Sequence, residues 1–268
     1  MTHEKAPSRF VVAVFCLGGW VVSSQEDPAR ALLEQSLDAH GGRARFEAIR
    51  DWHIVAERRL GADSAPRREI YEEYMLEEGG LMRTLLIKRI EDSVSVYGHD
   101  GRRGFVVLDG NVESGSEAEA EGYYRAHGEY YLRALPFKWM DPGVRVTKSA
   151  PDERYELLRI EAEQGVGRAW TDVWVAAIDK TTYLLHEARL THHTESWMGP
   201  ERDVREITYR YSDYRDVEGI LFPFRLEYLV GGRKTGENVI QSIELDTGLA
   251  KDLFLARTYG RRKSGLLR

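Results

Sequence analysis

Two rhythms of hydrophobic and polar residues alternate along this chain. After Asp27 and Pro28, apolar positions recur at helical spacing, with Leu32, Leu33 and Leu37 on one face and Gly41-Gly42 at the end. Asp caps free amides, Pro fits a first helical turn without losing a hydrogen bond, and Gly accepts the left-handed conformation of a helix end. A short turn over 46–49 follows, and from Trp52 the period becomes two. The alternation predicts strands over 52–60, 67–76, 81–91, 94–97, 104–108, 155–163, 169–176, 183–192, 204–211, 220–230 and 237–245, nearly all rich in β-branched or aromatic residues. Their links are short and carry turn chemistry, such as Glu78-Gly79-Gly80, Asp109-Gly110-Asn111 and Gly231-Gly232-Arg233. Short links make neighbouring strands antiparallel, because parallel pairs need long crossovers.

The meander is broken once, over 116–135. Glu117, Glu119 and Glu121 load the start, Arg133 stands near the end, and Tyr123, Tyr124, His127, Tyr130, Tyr131 and Leu135 recur at helical spacing. This predicts an amphipathic helix with an aromatic face. The fold expected is mainly β within the α+β class: a curled antiparallel sheet of about ten to eleven strands, with helices on its concave face. No repeat or low-complexity linker divides it.

The N-terminus has a different composition. Lys5 and Arg9 precede an apolar run over 10–22 that ends in Ser23-Ser24-Gln25, the layout of a secretory signal peptide. The run is short of the roughly 20 residues a membrane span needs. The expectation is a signal over 1–24, a single domain over 25–256, and a basic, frayed tail over 257–268 that contains Arg261-Arg262-Lys263. The mature protein is then soluble and exported to the periplasm or an equivalent space. Cys16, the only cysteine, lies within the signal, and the bulky Phe15 before it argues against lipidation there. The mature chain thus lacks thiols for a disulfide, a thiolate metal site or a cysteine nucleophile. A net charge of -6 argues against a broad phosphate-binding surface, so nucleic acid is not an expected partner.

Scattered features extend this reading. His40-Gly41-Gly42 closes the first helix shortly before Trp52, Leu135-Pro136-Phe137-Lys138 and Asp141-Pro142-Gly143 follow the middle helix, Asp213-Tyr214-Arg215, Gly219-Ile220 and Pro223 lead into a long late strand, and Leu253-Phe254 ends the domain. In this order the chain resembles the periplasmic lipoprotein-carrier superfamily of the LolA, LolB and LppX type, and especially the outer-membrane lipoprotein-sorting-like chains, over about residues 30–254. That resemblance implies an unclosed half-barrel with helices as plug or lid, and an apolar cavity for acyl chains between them. Without a usable lipidation cysteine, the chain is more similar to the soluble carrier than to the anchored acceptor.

Candidate ligand contacts follow. Ile220, Phe222, Phe224, Leu226 and Tyr228 alternate with Pro223, Arg225 and Glu227, so one face is buried, as plain core or as cavity lining. Tyr123, Tyr130 and Tyr131 carry hydroxyls that need partners, which suits a cavity mouth as well as packing, and Trp139 and Met140 are lid candidates. The cavity and lid set is therefore Tyr123, Tyr130, Tyr131, Trp139, Phe222, Phe224 and Leu226. His192-His193 is the most tempting metal signal, but neighbouring strand residues point to opposite faces and no nearby His or carboxylate pair has zinc-site spacing, so two solvent-exposed histidines at a strand end are the favoured reading. Asp172, His186 and Glu187 can be drawn together as an acid-base set only by assumption. The sequence has no GxSxG, HExxH, phosphate-loop or dinucleotide signature. No catalytic residue, metal or cofactor is expected. The expected function is binding or carriage of a lipid or lipidated protein, with envelope transport proteins as partners. The alternatives are a non-catalytic envelope assembly module with a filled half-barrel, and an extracytoplasmic hydrolase.

Overall fold

The computed structural model describes residues 27–61, 67–166, 171–191 and 206–260. Its centre is one antiparallel sheet of thirteen strands. The first meander comprises β1 (Asp51–Leu60), β2 (Arg67–Glu78), β3 (Leu81–Ile90), β4 (Ser93–His99), β5 (Gly104–Leu108) and β6 (Asn111–Val112). The second comprises β7 (Val144–Lys148), β8 (Tyr155–Ala162), β9 (Val173–Asp179), β10 (Leu185–Thr191), β11 (Glu206–Val217), β12 (Ile220–Val230) and β13 (Arg233–Leu245). β13 pairs with β1, from Trp52↔Leu245 to Leu60↔Gly236. The two meanders thus meet at a central seam, and the short strands β6 and β7 form the two edges. Both edges escape the alternation reading: β6 has only two residues, and in β7 only Val146 is buried, so neither shows an apolar row. The segment over 1–24 expected to be a signal peptide, His192-His193 and the residues beyond Gly260 lie outside the described residues.

Among the described residues, four α-helices accompany the sheet: α1 (Pro28–Ala39), α2 (Arg43–Ala48), α3 (Ser116–Arg133) and α4 (Ala256–Tyr259). Asp27 caps α1 by accepting from the Ala29 amide at 2.9 Å, as the sequence predicts. Gly41 has φ +107°, and a Cβ added there would sit 2.0 Å from the Gly219 carbonyl oxygen, so both conformation and space demand glycine. Helix α3 connects the two edges by passing across the concave face. It lies closest where two glycines oppose each other: a Cβ on Gly104 would fall 1.9 Å from the Glu119 carbonyl oxygen, and one on Gly122 would fall 2.2 Å from that of Phe105.

The concave face carries the main core, including Ile54, Ala56, Met75, Leu86, Ile160, Ala176, Leu226 and Ile240, packed under α1 and α3. In the first meander the convex face is apolar too. Leu85, Ile87, Val96, Phe105 and Val107 form a second core covered by Leu249, Leu253, Phe254 and Tyr259. Runs such as Leu85-Leu86-Ile87 and Phe105-Val106-Val107 are the sequence mark of a strand covered on both faces. Residues 257–259, which the sequence reading places in the tail, are helical and belong to this cover. The covering segment is tied down at its start by Asp51, whose carboxylate accepts from Thr247 N at 2.8 Å, Thr247 Oγ1 at 2.9 Å, Gly248 N at 2.9 Å and Leu249 N at 3.3 Å. From the seam across the second meander the convex face is instead a ladder of ion pairs, including Arg59–Glu237, Arg225–Glu237, Lys234–Glu227 and Arg210–Glu187.

Candidate ligand-binding face

The concave face has two chemically different ends. Near the starts of β1 and β12 it is an apolar arch of rings. Trp52 lies 5.3 Å from Tyr130, 6.1 Å from Phe222 and 6.4 Å from Phe46, between ring centroids, and Phe46 stacks on Phe137 at 4.1 Å. His127 and Tyr123 continue the series along α3, at 5.2 Å from Tyr130 and 4.8 Å from each other. Burial, with the nearby His99 and Lys138 charges, pushes the His127 imidazole down to about 4, so this ring is neutral at pH 7.

Six residues along β1 from Trp52, roughly 20 Å at strand rise, the face turns polar. Arg58 donates from Nε to Asn238 Oδ1 at 2.7 Å, from Nη1 to Tyr71 Oη at 2.8 Å, and from Nη2 to Tyr228 Oη at 2.9 Å and to Glu129 of α3. Its guanidinium also lies 4.1 Å from the centroid of the Tyr71 ring. Burial works against the charge of Arg58, but Glu129 and the phenol oxygens outweigh it, so Arg58 titrates well above its ordinary value. One helical turn on, Arg133 grips Glu73 of β2 with two hydrogen bonds of 2.9 and 3.1 Å. Burial alone drives the Tyr214 phenol up, and its hydroxyl donates to the Leu185 carbonyl at 2.5 Å.

This polar end was missed in the sequence reading. Its signal was nonetheless present: Trp52, Ile54, Ala56 and Arg58 share one face of β1, and Glu69, Tyr71, Glu73 and Met75 one face of β2, so charges interrupt apolar rows. On α3, Gly122, Ala126, Glu129 and Arg133 fall at helical spacing and turn toward the sheet. The expected aromatic face is therefore displaced: Tyr123, Tyr124, His127 and Tyr131 flank the contact line, half-buried, while Tyr130 is buried. The small residues take the contact line because only they allow the approach seen at Gly104.

The structure distributes the sequence-derived candidates over four places. Tyr130 and Phe222 meet at the arch. Tyr131 and Trp139 join Trp174, with centroids at 5.7 and 6.5 Å. Tyr123 lies apart, beside His127 and edge-on to His99 at 5.1 Å. Phe224 and Leu226 are buried in the concave core, and Arg215 lies over the Phe224 ring at 4.5 Å. Asp172, His186 and Glu187 are not assembled: Asp172 acts electrostatically on Tyr131 and Tyr209, His186 stacks on Tyr155 at 4.7 Å, and Glu187 pairs with Arg189 and Arg210. Among the described residues, no helix is long and apolar enough to cross a membrane.

Neither a protein-family model nor a curated protein matches the chain by sequence. Solved structures do match its fold. A domain from Vibrio parahaemolyticus named for outer membrane lipoprotein sorting aligns with a TM-score of 0.57 at 14% identity, over 86% of this chain and 99% of that one. A DUF1329 family protein from Desulfovibrio piger aligns with a TM-score of 0.55 at 14% identity, over 87% and 99%. The half-barrel architecture suggested by the sequence is thus shared with these proteins.

Proposed function

We propose that this chain is an exported binding or carrier protein that holds the acyl chains of a lipid or lipidated protein between the sheet and its helices. The observation that carries the reading is the placement of α3. It spans the concave face as a separate element above an apolar arch, and buried polar contacts to β1, β2 and β11 fix its position: Glu129 with Arg58, Arg133 with Glu73, and the Leu132 carbonyl with Tyr211 at 3.4 Å. A helix held this way can lift as a unit and admit a chain against Trp52, Phe222 and Tyr130. Hiding an acyl chain from water is worth about 0.8 kcal/mol per methylene, so even half a chain repays several lost contacts. The likeness of fold to a lipoprotein-sorting domain supports the same reading. No catalytic residue is assigned.

A second reading, an envelope assembly module with a filled half-barrel, is favoured by the burial of Phe222, Leu226 and Trp139, which keep 1, 0 and 0% of their surface exposed. Native mass spectrometry with lipid extraction separates the two. The chain from Gln25, purified after export, is expected to carry an acylated molecule. A clean apo mass across repeated preparations, with no uptake of added acyl ligand, overturns the carrier reading in favour of the module.

A further inference from the structure

Resting on the carrier reading, we infer that the polar end of the concave face is a subsite for an uncharged head group bearing hydroxyls or amides, and that it disfavours anionic and zwitterionic heads. Two features of the buried cluster point there. The first is its charge balance. Arg58 faces Glu129, Arg133 faces Glu73, and Lys88 faces Glu69, so each buried cation has its own carboxylate. A charge brought in by a ligand would have no counter-ion left and would bear the full cost of desolvation.

The second is the pattern of unused hydrogen-bonding atoms. Asn238 Nδ2, Arg133 Nη1 and Glu129 Oε2 are all buried without a partner. Asn238 and Arg133 are 0 and 2% exposed, so such atoms are costly to leave empty. The orientation of Asn238 is fixed, because Arg58 can only donate, so Oδ1 must be the atom that accepts from it, which leaves Nδ2 as a free donor. Glu69 Oε1 likewise lacks a hydrogen bond but faces the Arg67 cation, so the cluster presents two donors and, in Glu129 Oε2, one acceptor that no second cation faces. A phosphate or carboxylate offers acceptors only and would be repelled by Glu129. A hydroxyl or an amide both donates and accepts, and so complements both kinds of atom without added charge. Access lies beside them: Arg58 and Glu129 keep 14 and 12% of their side-chain surface exposed, and the rings of Tyr228 and Tyr209, 5.7 Å apart, stand half-buried.

The test uses four probes sharing a twelve-carbon chain, each below its micelle concentration, titrated against the whole exported chain by calorimetry. Dodecyl maltoside presents hydroxyls, N-dodecanoylglycinamide presents amides, and dodecanoate and dodecylphosphocholine present charge. At least one of the first two is expected to bind about tenfold or more tightly than either charged probe, the worth of one to two hydrogen bonds; which one does so identifies the head-group source. Asn238→Leu and Tyr228→Phe are expected to erase that preference while leaving dodecanoate affinity unchanged, a result that a merely structural role would not give. Equal binding of all four probes, or tighter binding of the charged ones, overturns the head-group inference and leaves the carrier reading standing. Binding of none overturns both. If Asn238→Leu does not fold, the probe series on the unaltered chain and Tyr228→Phe still decides the matter.

Discussion

Replacing Arg133 with methionine keeps most of the volume of the side chain but strands the Glu73 carboxylate in the interior. Arg133 and Glu73 are 2 and 3% exposed, and their two hydrogen bonds measure 2.9 and 3.1 Å. Removing one partner of such a pair costs about 3–5 kcal/mol, chiefly because the other charge is left uncompensated. Against a total stability of about 5–15 kcal/mol for a domain, that is a large fraction. Glu73→Leu strands the opposite charge and is expected to cost a similar amount. The double variant Arg133→Met, Glu73→Leu leaves neither charge, and its expected cost is within about 1 kcal/mol of the unaltered protein, with coupling of about 3 kcal/mol or more across the cycle. Urea denaturation of the four proteins at pH 7 measures every term. Should Arg133→Met cost less than about 1 kcal/mol, or should the two single costs simply add, the pair is not the desolvated clamp of α3 described above. The comparison also bears on function, since a double variant as stable as the original but impaired in uptake of dodecanoate, whose head makes no use of Arg133 Nη1, would show that the pair selects the docked position of α3 rather than strengthening the fold.

Three further outcomes are expected. Gly122→Val should destabilise by several kcal/mol although glycine is a poor helix former, because its Cβ would lie 2.2 Å from the Phe105 carbonyl oxygen; a thermal melt that matches or exceeds the original would contradict the close approach of α3 and β5. Burial pushes His40 down from 6.5 to about 4, against its hydrogen bond to the Ser36 carbonyl. The unfolded chain therefore binds a proton that the folded one excludes, so stability present above pH 6.5 is lost as pH falls toward 4, by about 3 kcal/mol in all. His40→Asn should lack that component, whereas an unchanged pH slope of urea midpoints in the variant would refute the assignment. Asp51→Ala removes four accepted hydrogen bonds and should cost about 2–4 kcal/mol, with faster amide exchange over 249–259; protection equal to the original there would show that the apolar contacts of Phe254 alone hold the cover.

Local signals determined much of this molecule. Asp27-Pro28 and Gly41-Gly42 bracket α1 because capping and left-handed conformation are decided within a few residues, and β12 has the predicted bounds because the turns at Glu218-Gly219 and Gly231-Gly232 close it on both sides. Two helices and a long run of strands joined by short turns were enough to suggest a curled sheet with the helices on its concave face, and the resemblance to the carrier superfamily implied that the sheet is an unclosed half-barrel. The tertiary structure decided the rest. Pairing of β13 with β1 joins residues nearly the whole domain apart, and no local pattern encodes that distance. The convex cover likewise depends on where 249–259 lands, so Phe254 reads as a chain end in the sequence and as a core residue, 0% exposed, in the fold. The polar end of the candidate site is the clearest case: Arg58, Glu73, Glu129, Arg133 and Asn238 come from four elements, and each alone is an ordinary charged or amide residue. Their meaning arises from burial, because only when the sheet and α3 close over them does a solvated charge become one that must be paired, and an unused donor or acceptor become a demand on whatever ligand enters.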